Sequence, residues 1–394
     1  MTSAGRGLSS ALTASSISLI TALPVFLFSV TYLFIGAEAP MSAIEFGGAV
    51  ASFWLAAAVT SAPVSLLVGW FGTRNCLALA AGTSAVVMLL IAMLPVERWF
   101  WYAVLLGLGG VANALAHPAS NALIVTEVSP RMAATAFGLK QAAIPGAVML
   151  AGFALPTLTS VAGWRVVFAA MGVVAALGVL RLVGRPDRSG SLRAEPLVKR
   201  ARRPSQNRLR LIRMITWASA LGTGQANAVA AFSAVLAIGA GFSEAQGGTI
   251  IGIAGVAGIL ARLTAGYLAD RGMGGTFVSV AVMLLLGGIG ALALSIQAGP
   301  FFLVGIVAAY SLGWGWNGLA HFLVSNLDGD SARATGRVQA GAYLGCAMGP
   351  VCFGLLAESF SLSAAVLACA CAAFLASALA ALIARRLKDP GLPG

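Results

Sequence analysis

Two basic residues, Lys140 and Arg262, lie well inside long apolar stretches of the sequence. If each stretch is a helix, both side chains start roughly 10–12 Å from its nearer end, at about 1.5 Å per residue. The Asp and Glu residues lie near the ends of such stretches or between them. A charge at the centre of a membrane helix costs about 2.5–3.5 kcal/mol. An anionic ligand is therefore the simplest partner for the two cations.

Each cation also has an alternative interpretation. The long stem of Lys140 could carry its ammonium to the nearer membrane surface. Arg262 could form a structural ion pair with Asp270, or with Glu127 or Asp330. In both alternatives the charge is solvated or neutralised without a ligand.

The only two histidines lie in a repeated pentapeptide. Asn113-Ala114-Leu115-Ala116-His117 recurs as Asn317-Gly318-Leu319-Ala320-His321. The Asn and His of each copy are four residues apart, so they share a helix face. Repeated membrane segments are typical of transporters built from two parallel halves. We therefore expect both copies to line a shared cavity or to pack equivalently. A histidine is also a candidate proton carrier; the alternative is a substrate that enters as its protonated acid.

Other polar and aromatic residues lie at similar depths, where side chains usually face protein or water rather than lipid. Those predicted to contribute to the substrate path are Tyr32, Gln141, Gln225, Trp314 and Gln339. Three prolines inside apolar stretches are predicted to bend or break helices: Pro118, Pro145 and Pro350.

The composition excludes an ordinary soluble protein. Apolar residues make up 59% of the 394 residues and charged residues only 9%, against roughly 25% charged in soluble domains. A bilayer-spanning helix needs about 20 apolar residues. Such spans are predicted at 14–36, 43–70, 76–95, 99–126, 133–158, 163–184, 212–240, 245–270, 275–297, 300–326, 336–359 and 362–385.

The chain is therefore predicted to be an all-α membrane protein with twelve transmembrane helices in two six-helix halves. Residues 1–184 would form the N-terminal bundle, 185–210 a basic linker and 211–394 the C-terminal bundle. Ten of the 24 Lys and Arg residues fall between Arg185 and Arg213. Because basic loops mark the cytoplasmic side, both termini are predicted to be cytoplasmic.

The same residues argue against several other classes. There is no phosphate-binding loop, nucleophile elbow, zinc motif or pair of carboxylates, so we expect no enzyme activity, cofactor or metal. The basic run lacks interleaved aromatics, so no nucleic-acid partner is expected. The expected partners are the lipid bilayer, a small-molecule substrate and protons, and the chain is expected to be a monomer.

The run from Arg262 to Gly272 resembles the signature loop of the major facilitator superfamily, Gly-x-x-x-Asp-Arg-x-Gly, with Gly266, Asp270 and Arg271 in the matching places. A degraded copy, with Thr73 in place of the acidic residue, spans 69–74. The runs 138–145 and 313–319 resemble bacterial permeases of the cyanate and nitroimidazole type. Arg262 also resembles the helix-8 arginine of monocarboxylate and oxalate transporters, which meets the substrate carboxylate.

The resemblance implies a secondary transporter of the bacterial inner membrane that works by alternating access. Together with the two cations, it implies a small organic anion, possibly a monocarboxylate, moved with a proton or by exchange. The core of the fourth segment has no basic residue and the fifth matches the antiporter motif poorly, which argues against a multidrug antiporter. The alternatives are an efflux permease for neutral or cationic compounds and a membrane sensor that binds without transport.

Overall fold

A computed structural model describes residues 3–93, 98–129, 132–180, 182, 206–325 and 331–388. The part that precedes residue 183 contains nine α-helices: α1 (Ser3–Val30), α2 (Tyr32–Glu38), α3 (Ala43–Phe71), α4 (Thr73–Met93), α5 (Trp99–Glu127), α6 (Ala133–Gln141), α7 (Ala143–Ala154), α8 (Ser160–Ala162) and α9 (Trp164–Leu180). A short π-helix, Leu155–Thr159, joins α7 to α8.

The part from residue 206 onward contains eight: α10 (Gln206–Ala231), α11 (Ser233–Gly239), α12 (Glu244–Asp270), α13 (Phe277–Leu294), α14 (Gly299–Ser311), α15 (Trp316–Ser325), α16 (Ser331–Ser359) and α17 (Leu362–Arg386). Helix α10 begins at Gln206, so the last residues of the predicted linker range are helical. The predicted linker before that point, and its arginines, lie outside the described residues.

Ten spans in the described residues are long and apolar enough to cross a membrane. Helices α10 and α11 meet the same test as a pair bent by 59°, and α9 is a shorter apolar helix. Together they correspond to the predicted segments, and this confirms an all-α membrane fold.

The same N-terminal cap opens a helix in each half. Ser42 and Glu45 form a reciprocal capping box at the start of α3, and Ser243 and Gln246 do so at the start of α12. Each box satisfies two backbone N–H groups that a helix start leaves free. The repetition extends the internal similarity seen in the histidine pentapeptides.

The bundle has two ends. We call the end at Gly7, Glu127 and Asp270 the terminal face, because α1 begins there, and the end at Ser42 and Glu358 the far face. Near the far face, α3 crosses α16 so closely that a Cβ on Gly47 would lie 2.5 Å from the Pro350 carbonyl oxygen. Small residues allow membrane helices this approach.

Two spans are interrupted near their middles. The fifth predicted span, 133–158, breaks at Ala142, between α6 and α7. The tenth predicted span, 300–326, breaks over residues 312–315, between α14 and α15. The predicted local break at Pro350 does not occur, because α16 runs through it, and α5 likewise runs through Pro118. Pro145 instead lies just after the break in the fifth span, inside α7.

Candidate functional site

Lys140 occupies the penultimate position of α6 and is 3% exposed. Its Nζ donates a hydrogen bond of 2.6 Å to Asn121 Oδ1 and lies 3.2 Å from His117 Nδ1. Among the residues described, the ion pairs are Arg74–Glu127 and Arg165–Glu38, and none involves Lys140. The ammonium is thus buried against α5 beside neutral partners instead of reaching the membrane surface.

The polar stripe on α5 is longer than the pentapeptide indicated. Asn121 follows His117 by four residues, the same spacing that separates Asn113 from His117, so all three share a face. Asn121 is exposed although its amide oxygen meets the buried ammonium. Asn121 was not among the predicted site residues, although continuing the four-residue spacing along α5 would have found it.

Asn113 lies deeper along the same stripe. Its Nδ2 donates to Thr21 Oγ1 at 3.2 Å, while its buried Oδ1 has no hydrogen-bond partner in the part of the chain described. The side chain is 4% exposed. One polar atom therefore remains available within the bundle.

The second pentapeptide forms the start of α15. A Cβ on Gly318 would lie 3.5 Å from Gln141 Cβ, which places α15 directly against α6. Asn317 is 7% exposed, and the buried His321 Nε2 has no partner among the described side chains and backbone. His321 follows Gly318 by about one helical turn, on the part of α15 that packs against α6. The structure thus places the second pentapeptide beside the helix that carries Lys140.

Arg262 is 2% exposed on α12, and its hydrogen bonds within the described residues go to backbone carbonyls. Its guanidinium donates to the Gln141 carbonyl and, at 2.9 Å, to the Trp314 carbonyl. Its Cζ lies 5.6 Å from the Trp314 ring centroid. The alternative pair with Asp270 is replaced by other contacts, because Asp270 Oδ2 accepts from Thr135 N and Oγ1 at 2.8 and 2.5 Å. Of the other alternative partners of Arg262, Glu127 pairs with Arg74, and Asp330 lies outside the described residues.

The helix breaks explain why the carbonyls of Gln141 and Trp314 are available. Pro145 has no N–H, so it leaves the Gln141 carbonyl four residues earlier without a helical donor. Trp314 lies in the break between α14 and α15. Irregular backbone within a membrane needs internal partners, and Arg262 supplies them for both breaks at once. It also joins the N-terminal half to the C-terminal half.

Gln225 has a related role. Its Nε2 donates to the carbonyls of Gly222 and Gly313, both at 3.0 Å, and Trp316 Nε1 also donates to Gly313 at 2.9 Å. The amide nitrogen predicted to meet substrate therefore supports the break in the tenth span. The Gln225 Oε1 atom is buried and lacks a partner within the described ranges.

Tyr32 lies away from Lys140. Its hydroxyl donates to the Met41 carbonyl at 3.1 Å, and its ring stacks on Phe46 with centroids 4.0 Å apart. Phe46 in turn contacts Phe232, and Phe232 stacks on Phe353 at 4.4 Å. These aromatic rings come from both halves and fill the bundle toward the far face. There, Glu358 Oε1 accepts from Ile44 N at 2.8 Å.

Two further residues near the histidines were not anticipated. The Tyr343 ring centroid on α16 lies 5.9 Å from that of His117, and the Trp54 centroid on α3 lies 6.2 Å from that of Tyr343. Tyr343 Oη and Trp54 Nε1 are buried without partners in the described structure. Gln339, predicted to contribute, lies half-buried one turn before Tyr343.

The remaining signature residues lie at the terminal face. The Arg271 guanidinium lies 4.2 Å above the Tyr267 ring centroid, and Gly266 Cα would be 3.8 Å from a Cβ on Gly138 of α6. The close approach of Gly138 to Gly266 and the Asp270–Thr135 contact hold the end of α12 against α6. Over the described ranges, no group of three or more His, Cys, Asp or Glu could hold a metal ion.

Comparison with known proteins identifies the architecture. Residues 14–328 match the family described as Major Facilitator Superfamily. Two solved structures of a bacterial homologue of the human lysosomal transporter Spinster are similar over nearly the whole of both chains. The match to the inward-facing, occupied structure covers 98% of each chain, with a TM-score of 0.72 and 14% sequence identity. The match to the inward-facing, unoccupied structure covers 99% of each chain, with a TM-score of 0.74 and 15% sequence identity. At this identity they show a shared fold. No curated protein matches the sequence.

Proposed function

The chain belongs to the Major Facilitator Superfamily, a family of membrane transporters, and from this premise we propose that it moves a small organic anion, such as a monocarboxylate, by alternating access. The observation that carries the proposal is the Lys140 ammonium. It is buried in the bundle, and its contacts in the described residues are the neutral Asn121 and His117.

The energetics favour an anion as the missing partner. A cation in the membrane interior costs about 2.5–3.5 kcal/mol, and two neutral contacts do not cancel its charge. An anionic group that replaces one of them keeps a hydrogen bond to the ammonium and adds the attraction between opposite charges, which is only weakly screened inside the bundle. A cationic cargo would be repelled by Lys140, and a neutral cargo would gain a hydrogen bond from it but no ion pair.

The contacts also favour one route of entry. Asn121 is exposed on the side of Lys140 that leads to the terminal face. Toward the far face, the rings of Phe46, Phe232 and Phe353 and the Glu358–Ile44 hydrogen bond close the bundle. In this state the site would load or release from the terminal face. The excess of basic residues there supports a cytoplasmic assignment for that face and both termini.

The histidines offer a means of coupling transport to protons. His117 contacts Lys140, and His321 lies on α15, which packs against the helix that carries Lys140. Each histidine can carry a proton near neutral pH when its surroundings allow. An anion bound between them would favour their protonated forms, because opposite charges stabilise each other at short distance. This supports co-transport of a proton, with exchange of two anions as the alternative. We also propose that the protein lies in the bacterial inner membrane and that it is related to permeases of the cyanate and nitroimidazole type.

The test is flux in proteoliposomes. The purified chain is reconstituted, and uptake of a panel of radiolabelled carboxylates is measured with and without a pH gradient. Lys140→Met should abolish uptake of whichever acid the wild type carries, and Lys140→Arg should retain part of it because the charge remains. Lys388→Met, at the exposed end of α17, is the matched control and should transport normally.

Each outcome separates the competing functions. Wild-type flux in Lys140→Met would refute the anion proposal. Flux of neutral or cationic compounds that ignores Lys140 would favour the efflux permease. Saturable binding of an acid without flux would favour a sensor.

A further inference from the structure

The neighbourhood of Lys140 contains unused hydrogen-bonding groups from several helices. Trp54 Nε1 on α3, Tyr343 Oη on α16 and His321 Nε2 on α15 are all buried, and none has a partner in the described parts of the chain. Buried polar groups in folded proteins are nearly always hydrogen-bonded, so each exception requires a reason. One ligand bound beside Lys140 and reaching toward these helices would supply a common reason.

These groups are contiguous with the Lys140 site. His117 contacts Lys140, the Tyr343 ring lies 5.9 Å from His117, and the Trp54 ring lies 6.2 Å from Tyr343. Trp54 belongs to the N-terminal half and Tyr343 to the C-terminal half. The chain of contacts therefore crosses from one half to the other beside the cation.

The chemistry of the unused groups specifies what would satisfy them. An indole N–H is only a donor, a phenol is a donor and an acceptor, and a neutral imidazole nitrogen can be either. With the Lys140 ammonium they form a site that is rich in donors. A carboxylate alone would occupy the ammonium and leave the indole and phenol unpaired.

Resting on the proposed anion transport, we propose that the cargo is a carboxylate with a second oxygen, which accepts from Trp54 and Tyr343 while the carboxylate meets Lys140. The second oxygen is a hydroxyl, a carbonyl or another carboxylate. Because Trp54 and Tyr343 belong to different halves, this oxygen also holds the halves together around the loaded site. A plain alkanoate lacks this contact and is transported poorly.

The experiment uses pairs of acids that differ by a hydroxyl and a methyl group of similar size. The pairs are lactate and isobutyrate, 3-hydroxybutyrate and 3-methylbutyrate, and 4-hydroxybenzoate and 4-methylbenzoate, which set the second oxygen at increasing distances from the carboxylate. Uptake is measured in proteoliposomes. In the pair that fits, the hydroxy acid should be preferred by about tenfold to a hundredfold, because the methyl analogue leaves buried donors unpaired.

Two conservative variants assign the preference to residues. Tyr343→Phe removes one hydroxyl and Trp54→Phe one indole N–H, and each should reduce the preference toward unity while uptake of the methyl acid is kept. Tyr102→Phe is the matched control, because Tyr102 Oη is also buried without a hydrogen-bond partner among the described residues, but its ring packs on Phe28 instead of on the site. It should leave the preference unchanged.

The results distinguish this inference from the function on which it rests. Lys140-dependent uptake in which methyl and hydroxy acids are equal, or in which Tyr343→Phe and Trp54→Phe keep the full preference, overturns the inference and leaves anion transport intact. If uptake of these acids does not depend on Lys140, both are overturned.

Discussion

We expect the contributions of Arg262 and Pro145 to the free energy of unfolding to be coupled through the Gln141 carbonyl, with no need for a direct contact between the two residues. Pro145 removes the N–H that would bond the Gln141 carbonyl, and Arg262 donates to that carbonyl instead. The helical ladder is intact on both sides, since Ala142 N donates to Gly138 O and Gly146 N to Ala142 O, both at 2.9 Å. An alanine at 145 would therefore place its N–H within reach of Gln141.

The single substitution Arg262→Met is a weak test, because its effects oppose each other. It removes two hydrogen bonds from a charged donor, worth about 1.5–3 kcal/mol each, and also a buried charge that costs about 2.5–3.5 kcal/mol. These two effects largely offset each other, so the net change in stability is small. A double-mutant cycle isolates the contact to Gln141.

In the Arg262→Met background, Pro145→Ala should rescue about 1–3 kcal/mol, the cost of an unpaired buried carbonyl. In the wild type the same change gains less, because Arg262 already satisfies the carbonyl. The general benefit of replacing a helical proline is common to both backgrounds and cancels. We expect a coupling free energy of about 1–2 kcal/mol.

The assay is the free energy of unfolding of the four proteins in the same mixed micelles. Pro118→Ala is the control, because Pro118 lies on α5 and its own freed carbonyl is not an Arg262 partner. That cycle should be additive within about 0.5 kcal/mol, as for independent sites. A Pro145 cycle that is equally additive would refute the assignment of Arg262 to the Gln141 carbonyl.

Two further predictions concern the far face. Burial raises the pKa of Glu38, but hydrogen bonds from Arg165 and Trp164 outweigh this and lower it overall, so the carboxylate adds stability above its ordinary pKa that is lost as pH falls through the lowered value. Because the Glu38–Arg165 pair is well exposed, the wild type should be more stable than Glu38→Gln by only about 0.2–1 kcal/mol at pH 7. Thermal unfolding should show this difference disappear in acid. A stability difference that is independent of pH would contradict the prediction. Gly47→Ala places a Cβ 2.5 Å from the Pro350 oxygen, so it should favour the state that is open at the far face. The assay is labelling of Phe353→Cys by an impermeant maleimide in a chain without other cysteines, and Gly47→Ala should increase this labelling. Gly36→Ala, which meets nothing within 4 Å, should leave labelling unchanged, and equal labelling in both would contradict the prediction.

The sequence by itself determined the membrane class, the helical segments and the depth of the two cations. These follow from composition and from distance along the chain, which a helix converts directly into depth. The four-residue spacing also placed Asn113 and His117 on one face, and Asn317 and His321 on another. Each of these properties belongs to a single segment or to a repeat of one.

Only the tertiary structure decided which segments meet. It gave Lys140 the neutral partners His117 and Asn121, and it turned Arg262 onto carbonyls that helix breaks had freed. It also added Trp54 and Tyr343, which in sequence are ordinary aromatic residues of apolar helices. Helical periodicity fixes the face on which a side chain lies but not the helix that packs against that face. Partners between distant segments therefore become known only when the bundle is assembled.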